Sequence, residues 1–161
     1  MIQQVEGDIL LSGAKAIAHG IAPHDDFKSG FALSLRESWP AMYKDFRHYC
    51  HETNPKSGTI WVWSGAGGPR VVNLFTQEAP PNAGSRPGPA HIEHVNHALK
   101  ALAEWVHQEK VESLALPRLS TGVGKLDWEK VYPLIEKHLG HLAIPVYIYT
   151  TYRKGLKAAE A

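Results

Sequence analysis

Gly122, Gly124 and Lys125 stand in the run LSTGVGK, between an apolar stretch, VESLAL, and an amphipathic one, DWEKVYPLIEKHL. Small residues between a strand and a helix suit an anion. Glycines let backbone N–H groups crowd round the charge, and the helix start adds its positive end. Two familiar nucleotide loops do not fit. A Walker loop counted back from Gly124-Lys125 needs glycine where Leu119 stands, and it needs a magnesium-ligating hydroxyl where Leu126 stands. A dinucleotide fingerprint begun at Gly122 has Asp127 in place of its third glycine. Two readings remain: a cradle for an anion, or a plain connector with Asp127 as the N-cap of the helix.

Other residues invite chemistry less directly. His24, Asp25, Asp26 and Lys28 precede Gly30 in the run PHDDFKSG. They are proton-transferring types, and the alternative is a solvated polar loop. His91, His94 and His97 recur every third residue. On a helix they spread over about 120 degrees, and with no cysteine near to complete a zinc set they read as helix surface. Cys50, the single cysteine, lies between Tyr49 and His51 and is read as structural; alone it excludes an internal disulfide. Trp61 and Trp63 alternate with Ile60 and Val62, which suggests a strand covered on both faces, not a base-stacking platform.

The elements that must position these residues can be read from periodicity. Strands are expected near the start in MIQQVEGDIL, over 14–22, in GTIWVWSG and PRVVNLFTQ around an AGG hairpin, in VESLALPRL, and in PVYIYTTY. Helical spacing runs through GFALSLRESW, where Pro40 interrupts it, and through AMYKDFRHYCHE. It returns in HIEHVNHALKALAEWVHQE, with Ile92, Val95, Leu99, Leu102 and Val106 on one face, and in DWEKVYPLIEKHL. Residues 80–89, PPNAGSRPGP, form a loop rich in breakers. Alternating strands and helices predict an α/β fold with a mixed, mostly parallel sheet covered by helices on both faces. Ligands in such folds sit beyond the carboxyl ends of the strands. Four loops belong there: HGIAPHDDFKSGF, TQEAPPNAGSRPG, LSTGVGKL and YTTYRKG.

The 161 residues, 43% hydrophobic and 20% charged with net charge +1, suit one domain and give no basic field for nucleic acid. Neither a signal peptide nor a membrane-spanning run is apparent, so a cytoplasmic monomer is expected. Residues 1–152 are expected to form the domain, and the tail 153–161, RKGLKAAEA, to fray.

Four pieces in register carry a resemblance. EGDIL (6–10) matches the opening motif of the macrodomains, the three-layer α/β/α modules that bind ADP-ribose. IAHGIAPHDDFKSGFALSLRESWP is similar to the first ligand loop of the branch holding terminal-ADP-ribose glycohydrolases and DNA ADP-ribosyl glycohydrolase antitoxins. LPRLSTGVGKLDWEKV resembles that branch's phosphate loop and helix start, and PVYIYT its final strand.

The resemblance implies a site. Ser120, Thr121, Gly122, Val123 and Gly124 would wrap the diphosphate, with Pro117 among the ligand-binding residues. Asp8 would accept from the adenine amine, with the Ile9 N–H near the base. His19, Gly20, Ile21 and Ala22, with Lys28, Ser29, Gly30 and Phe31, would approach the distal ribose and phosphate. Thr76 would also contact the ligand, and Tyr149 or Tyr152 would pack on the adenosine. Arg86 would face the rim. Glycohydrolases of this branch usually place a lysine where this chain has Gln77, and some use an aspartate where it has Gly124. Glutamine forms no imine, so a lysine–ribose covalent route is excluded, though Gln77 could hold a water or a ribose hydroxyl. Asp25 or Asp26 is then the candidate base, activating water at the anomeric carbon.

The resemblance implies no cofactor and no metal. It implies ADP-ribose or an ADP-ribosylated macromolecule as partner, with ADP-ribosylated DNA among the candidates, and no membrane. The expected function is removal of ADP-ribose from protein or nucleic acid. The alternatives are a non-catalytic ADP-ribose reader or an ADP-ribose 1''-phosphate phosphatase.

Overall fold

The computed structural model describes residues 1–82, 84–122 and 124–161. Among the described residues the chain runs β1 (Ile2–Gly7), a 3₁₀ turn (Ile9–Leu11), β2 (Ala16–Ile21), α1 (Gly30–Ser38), α2 (Pro40–Thr53), β3 (Ile60–Ser64) and β4 (Arg70–Phe75). It continues through α3 (Ile92–Gln108), β5 (Leu114–Pro117), α4 (Trp128–Leu139) and β6 (Val146–Tyr152). The six strands form one sheet in the order β1-β6-β5-β2-β4-β3. Every neighbouring pair from β1 to β4 is parallel, and only the β3–β4 hairpin is antiparallel. Five strands therefore deliver their carboxyl ends to one edge.

Period-2 alternation divides the core between the two faces. In β2, Ala16 and Ala18 face the α3/α4 side, where they meet Val95, Leu99, Leu102, Val131 and Ile135. Ile17 and Ile21 face the other side. There α1 and α2 contribute Leu35, Met42, Phe46 and Cys50 against Val71 and Phe75. Helices cover both faces because both are apolar, as the sequence predicts. Burying α3 through Val95, Leu99, Leu102 and Val106 contributes about 1.5–3 kcal/mol per side chain. Ile92, expected on that face, is exposed at the first turn instead. Pro40 does interrupt the helical run: it ends α1 and begins α2 at N1, where its missing N–H is no loss. β3 is an edge strand, so Trp61 and Trp63, packed toward α2, and Ile60 and Val62, packed toward α3, are only half-buried.

The tail does not fray. Residues 153–161 fold back over the sheet face, bury Ala158 against Ile17, Ala115, Tyr147 and Tyr149, and return the Ala161 carbonyl to the Tyr147 hydroxyl at 2.8 Å. Gly7 makes room for this turn. A Cβ on Gly7 would lie 2.8 Å from the Leu156 carbonyl oxygen and 2.9 Å from the Ala158 nitrogen, and its φ of +152° is one that side chains rarely adopt. No helix among the described residues is long and apolar enough to cross a membrane.

Candidate functional site

The centre of the carboxyl edge lies where β2, β4 and β5 end side by side. Gly20 is the floor. A Cβ there would stand 2.7 Å from Thr76 Oγ1 and 3.0 Å from Ser120 Oγ, so any side chain would displace the two hydroxyls that close over it. Thr76 is buried, and its backbone N–H reaches the Ile21 carbonyl at 3.1 Å, tying the ends of β4 and β2 together. Ile21 and Ala22 are themselves buried and supply backbone, not side chains, to this edge.

The loop after β5 turns on two residues in the left-handed region, Ser120 at φ +61° and Lys125 at +62°. Side chains there cost of order 1 kcal/mol or more and persist only when held. Here the Leu126 N–H holds the Ser120 carbonyl at 2.9 Å, and the Lys125 N–H holds that of Gly122 at 3.1 Å. The carbonyls of Ser120, Gly122 and Gly124 are thus used within the fold. The N–H groups of Thr121, Gly122 and Gly124 donate to no described residue. That polarity, carbonyls spent and amides spare, is what an anion cradle requires. Val123 lies outside the described residues. Gly122 is not in the left-handed region, and a Cβ there meets nothing within 4 Å. Gly124 is the crowded one: a Cβ would lie 2.6 Å from the Ser120 carbonyl oxygen and 2.9 Å from the Ala90 Cβ. Asp127 takes the N-cap backbone position of α4 without a side-chain cap bond, so the connector reading loses its main prop.

A second set of amides lies at the start of α1. Ser29 is the extended N-cap and Gly30 follows at φ +60° in open space. The Leu33 N–H takes up the Ser29 carbonyl, while the N–H groups of Gly30, Phe31 and Ala32 donate to no described residue. The macrodipole of α1 adds positive potential there. Lys28, exposed beside this turn, pairs with Asp26 at 3.8 Å. Phe31 is half-buried and stands edge-on to the His19 ring, 5.9 Å between centroids. His19 itself faces inward. Its Nε2 meets Asn73 Oδ1 at 2.6 Å, and burial holds the imidazole neutral, its pKa down to about 4. His19 therefore supports the floor and does not line it.

The two candidate bases differ. Asp25 Oδ1 accepts from the Phe27 N–H at 2.7 Å, and burial pushes its carboxyl above the usual range. Asp26 accepts from the Lys28 N–H at 3.2 Å and pairs with the Lys28 ammonium. Gln77 is buried at the end of β4, and its Nε2 donates to the Gly88 carbonyl at 3.2 Å. It fastens the proline-rich loop that crosses back to the edge through the Gln77–Ala90 bridge. Arg86, in that loop, is exposed.

At the far end, Asp8 is buried, and both its carboxylate oxygens are engaged. Oδ1 accepts from the Leu10 N–H and Oδ2 from the Gly155 N–H, each at 3.0 Å. Ile9 is buried in the 3₁₀ turn. The two tyrosines separate. Tyr149 is buried in the core under the tail, its hydroxyl donating to Glu160 at 2.6 Å, and does not present a face to a ligand. Tyr152 is 52% exposed, pairs in register with Gly7, and lies within electrostatic reach of Asp8. Sequence reasoning missed the tail residues Gly155 and Glu160. Nothing in RKGLKAAEA marks them, although the glycine of the Gly7-Asp8 pair hinted that backbone must pass close by.

Among the described residues no cluster of histidine, cysteine and carboxylate is arranged to hold a metal. Of the histidines at the start of α3, His91 and His97 are exposed, His91 pairing with Glu78 at 2.7 Å, while His94 is half-buried with its Nδ1 enclosed. Cys50 is buried, and burial raises its thiol pKa, as befits a structural residue.

Comparison with known proteins agrees with this geometry. A DNA ADP-ribosyl glycohydrolase of Thermus aquaticus is 27% identical over 150 residues, covering 92% of this chain and 41% of that protein. The chain thus spans less than half the length of such curated relatives. The solved macrodomain of Thermus aquaticus DarG superposes with a TM-score of 0.82 at 25% identity, covering 93% of this chain and 98% of the other. Thermosipho africanus DarTG, solved in complex with ADP-ribose, has the same fold at TM-score 0.81 and 21% identity, covering 97% of this chain and 42% of that one. The family model described as Macro domain matches residues 28–135. The chain belongs to the macrodomain family.

Proposed function

We propose that this chain binds ADP-ribose along the carboxyl edge of its sheet and hydrolyses it from an ADP-ribosylated macromolecule, with DNA as the first acceptor to test. The observation that carries the reading is the order of groups along the edge. Asp8 and Tyr152 stand at the β1/β6 end, the spare amides of Thr121, Gly122 and Gly124 follow β5, and Gly20 lies at the end of β2 with the start of α1 after it. From β1 to β4 the edge spans about 19 Å at the usual strand spacing. A ligand with a base at one end, a diphosphate in the middle and a sugar at the other matches that order. The named relatives of similar fold support the hydrolase reading and the choice of DNA.

The chemistry would proceed without a covalent enzyme intermediate. As the bond from the anomeric carbon to its acceptor breaks, the acceptor departs with the bonding pair and takes a proton from solvent; positive charge develops on the sugar, a water adds, and its proton passes to a base. Asp25 suits that base, because burial raises its proton affinity and its Oδ2 is not used by the turn. The diphosphate cradle would fix the sugar against the Gly20 floor.

A reader function has two specific observations in its favour: the Gln77 amide is committed to Gly88, and Gly124 leaves no room for an aspartate. The two are separated by incubating the protein with ADP-ribosylated single-stranded DNA and ADP-ribosylated proteins and weighing the products. Released ADP-ribose supports the hydrolase. Binding without release from any acceptor supports the reader.

A further inference from the structure

The tail crosses the adenosine end of the proposed site, and Glu160 clasps it there. The Glu160 carboxylate accepts from the Ser12 hydroxyl at 2.6 Å, the Gly13 N–H at 2.9 Å and the Tyr149 hydroxyl at 2.6 Å. Those donors come from the turn before β2 and from β6, so one side chain pins the chain end to two parts of the domain. Upstream of the clasp, the Leu156 carbonyl accepts from the Asp8 N–H at 2.7 Å, and the Gly155 N–H donates to Asp8 Oδ2. Gly155 reaches that position at φ +77°, where an added Cβ would meet nothing within 4 Å. The strap that carries its N–H is held on one side by the Arg153 N–H on the Gly7 carbonyl at 2.9 Å and on the other by the Glu160 clasp.

We infer that Glu160 is a positioning residue for base recognition: through the 153–161 strap it fixes the Asp8 carboxylate as an acceptor-only edge that selects an exocyclic amine. With Leu10 on one oxygen and Gly155 on the other, the carboxylate cannot rotate, and each oxygen keeps a lone pair for an incoming donor. An amine on the base completes that pattern. A carbonyl in its place sets oxygen against oxygen, and discrimination of this hydrogen-bonding kind is strong in buried sites. Releasing the strap removes one of the two anchors and lets the carboxylate turn away or hydrate. The inference rests on the ADP-ribose reading above.

The test is titration calorimetry on the full chain with ADP-ribose and with its hypoxanthine analogue, whose carbonyl replaces the amine. Wild type should prefer ADP-ribose. Glu160→Ala should weaken ADP-ribose about ten-fold, as expected for a disordered charge-assisted bond, while leaving the analogue's affinity unchanged. Glu160→Gln keeps an acceptor for the clasp and should restore most of the preference. Ser12→Ala, which removes a single donor, should move the ratio the same way by less, and it serves if Glu160→Ala does not fold. Amide exchange at Gly155 reports strap release independently. An unmoved ratio with faster Gly155 exchange overturns the inference, and so does an equal loss for both ligands. Wild type binding neither ligand contradicts the ADP-ribose reading and takes this inference with it.

Discussion

The Ser120 hydroxyl donates to the Thr76 hydroxyl at 2.9 Å, bridging the loop after β5 to the end of β4 directly over Gly20. This contact joins two of the four loops of the carboxyl edge across the strand between them. It also makes the floor intolerant of any added atom.

Gly20→Ala is accordingly expected to separate the two hydroxyls. The methyl group would arrive at 2.7 and 3.0 Å, and overpacking of this kind costs about 1–3 kcal/mol. ADP-ribose affinity should fall at least ten-fold in a variant that still folds. Calorimetry paired with thermal unfolding separates the two effects.

Gly124→Ala tests the cradle from the other side. Its Cβ would press on the Ser120 carbonyl and on Ala90, so the loop must open. Stability should drop by about 1–3 kcal/mol and binding should weaken. Gly122→Val, by contrast, meets open space in the free protein. It should leave the unfolding midpoint nearly unchanged and abolish ADP-ribose binding by covering the spare amides. Normal affinity in that variant would return the loop to the status of a connector.

This pair of glycines shows how far the sequence could be read. LSTGVGK announced a loop with spare amides, and the strand-helix alternation placed it correctly at the carboxyl edge. The division of labour inside it was not legible. Which residues take positive φ depends on tertiary anchors such as the Leu126 N–H, and these fell on Ser120 and Lys125 instead of Gly122. Tyr149 and Tyr152 look equivalent in VYIYTTY, yet strand parity and the tail bury the first and expose the second. Glu160 had no local signal, because Ser12 and Gly13, two of its three partners, lie nearly the whole chain away.

His19 makes a pH prediction. Its folded pKa is depressed to about 4 by burial, against 6.5 when unfolded. The neutral form is the one that fits, so stability is full above pH 6.5 and declines as pH falls from there toward 4. The loss approaches about 3 kcal/mol for a shift of this size. Urea unfolding across that range should show it, and His19→Gln, which keeps a partner for Asn73, should flatten the decline.

If the chain is a hydrolase, borohydride trapping during turnover should yield no adduct, since Gln77 offers no amine. Asp25→Ala should slow single-turnover release by about 10²–10⁴-fold with a smaller effect on ADP-ribose affinity, because a general base acts chiefly in the transition state. Asp26→Ala, already neutralised by Lys28, should slow it less. Equal rates in Asp25→Ala and wild type would remove Asp25 from the mechanism.

The central claim is that ADP-ribose lies along one sheet edge, from Asp8 to the Gly20 floor. The direct measurement is an amide NMR titration of the chain with ADP-ribose. The account predicts saturable shifts at Asp8 and Gly155, at Thr121, Gly122 and Gly124, and at Gly20, Gly30 and Phe31, with little change elsewhere. An absence of shifts would contradict it. So would shifts confined to the groove that Arg36, Tyr43, Lys44 and Arg47 line on α1 and α2.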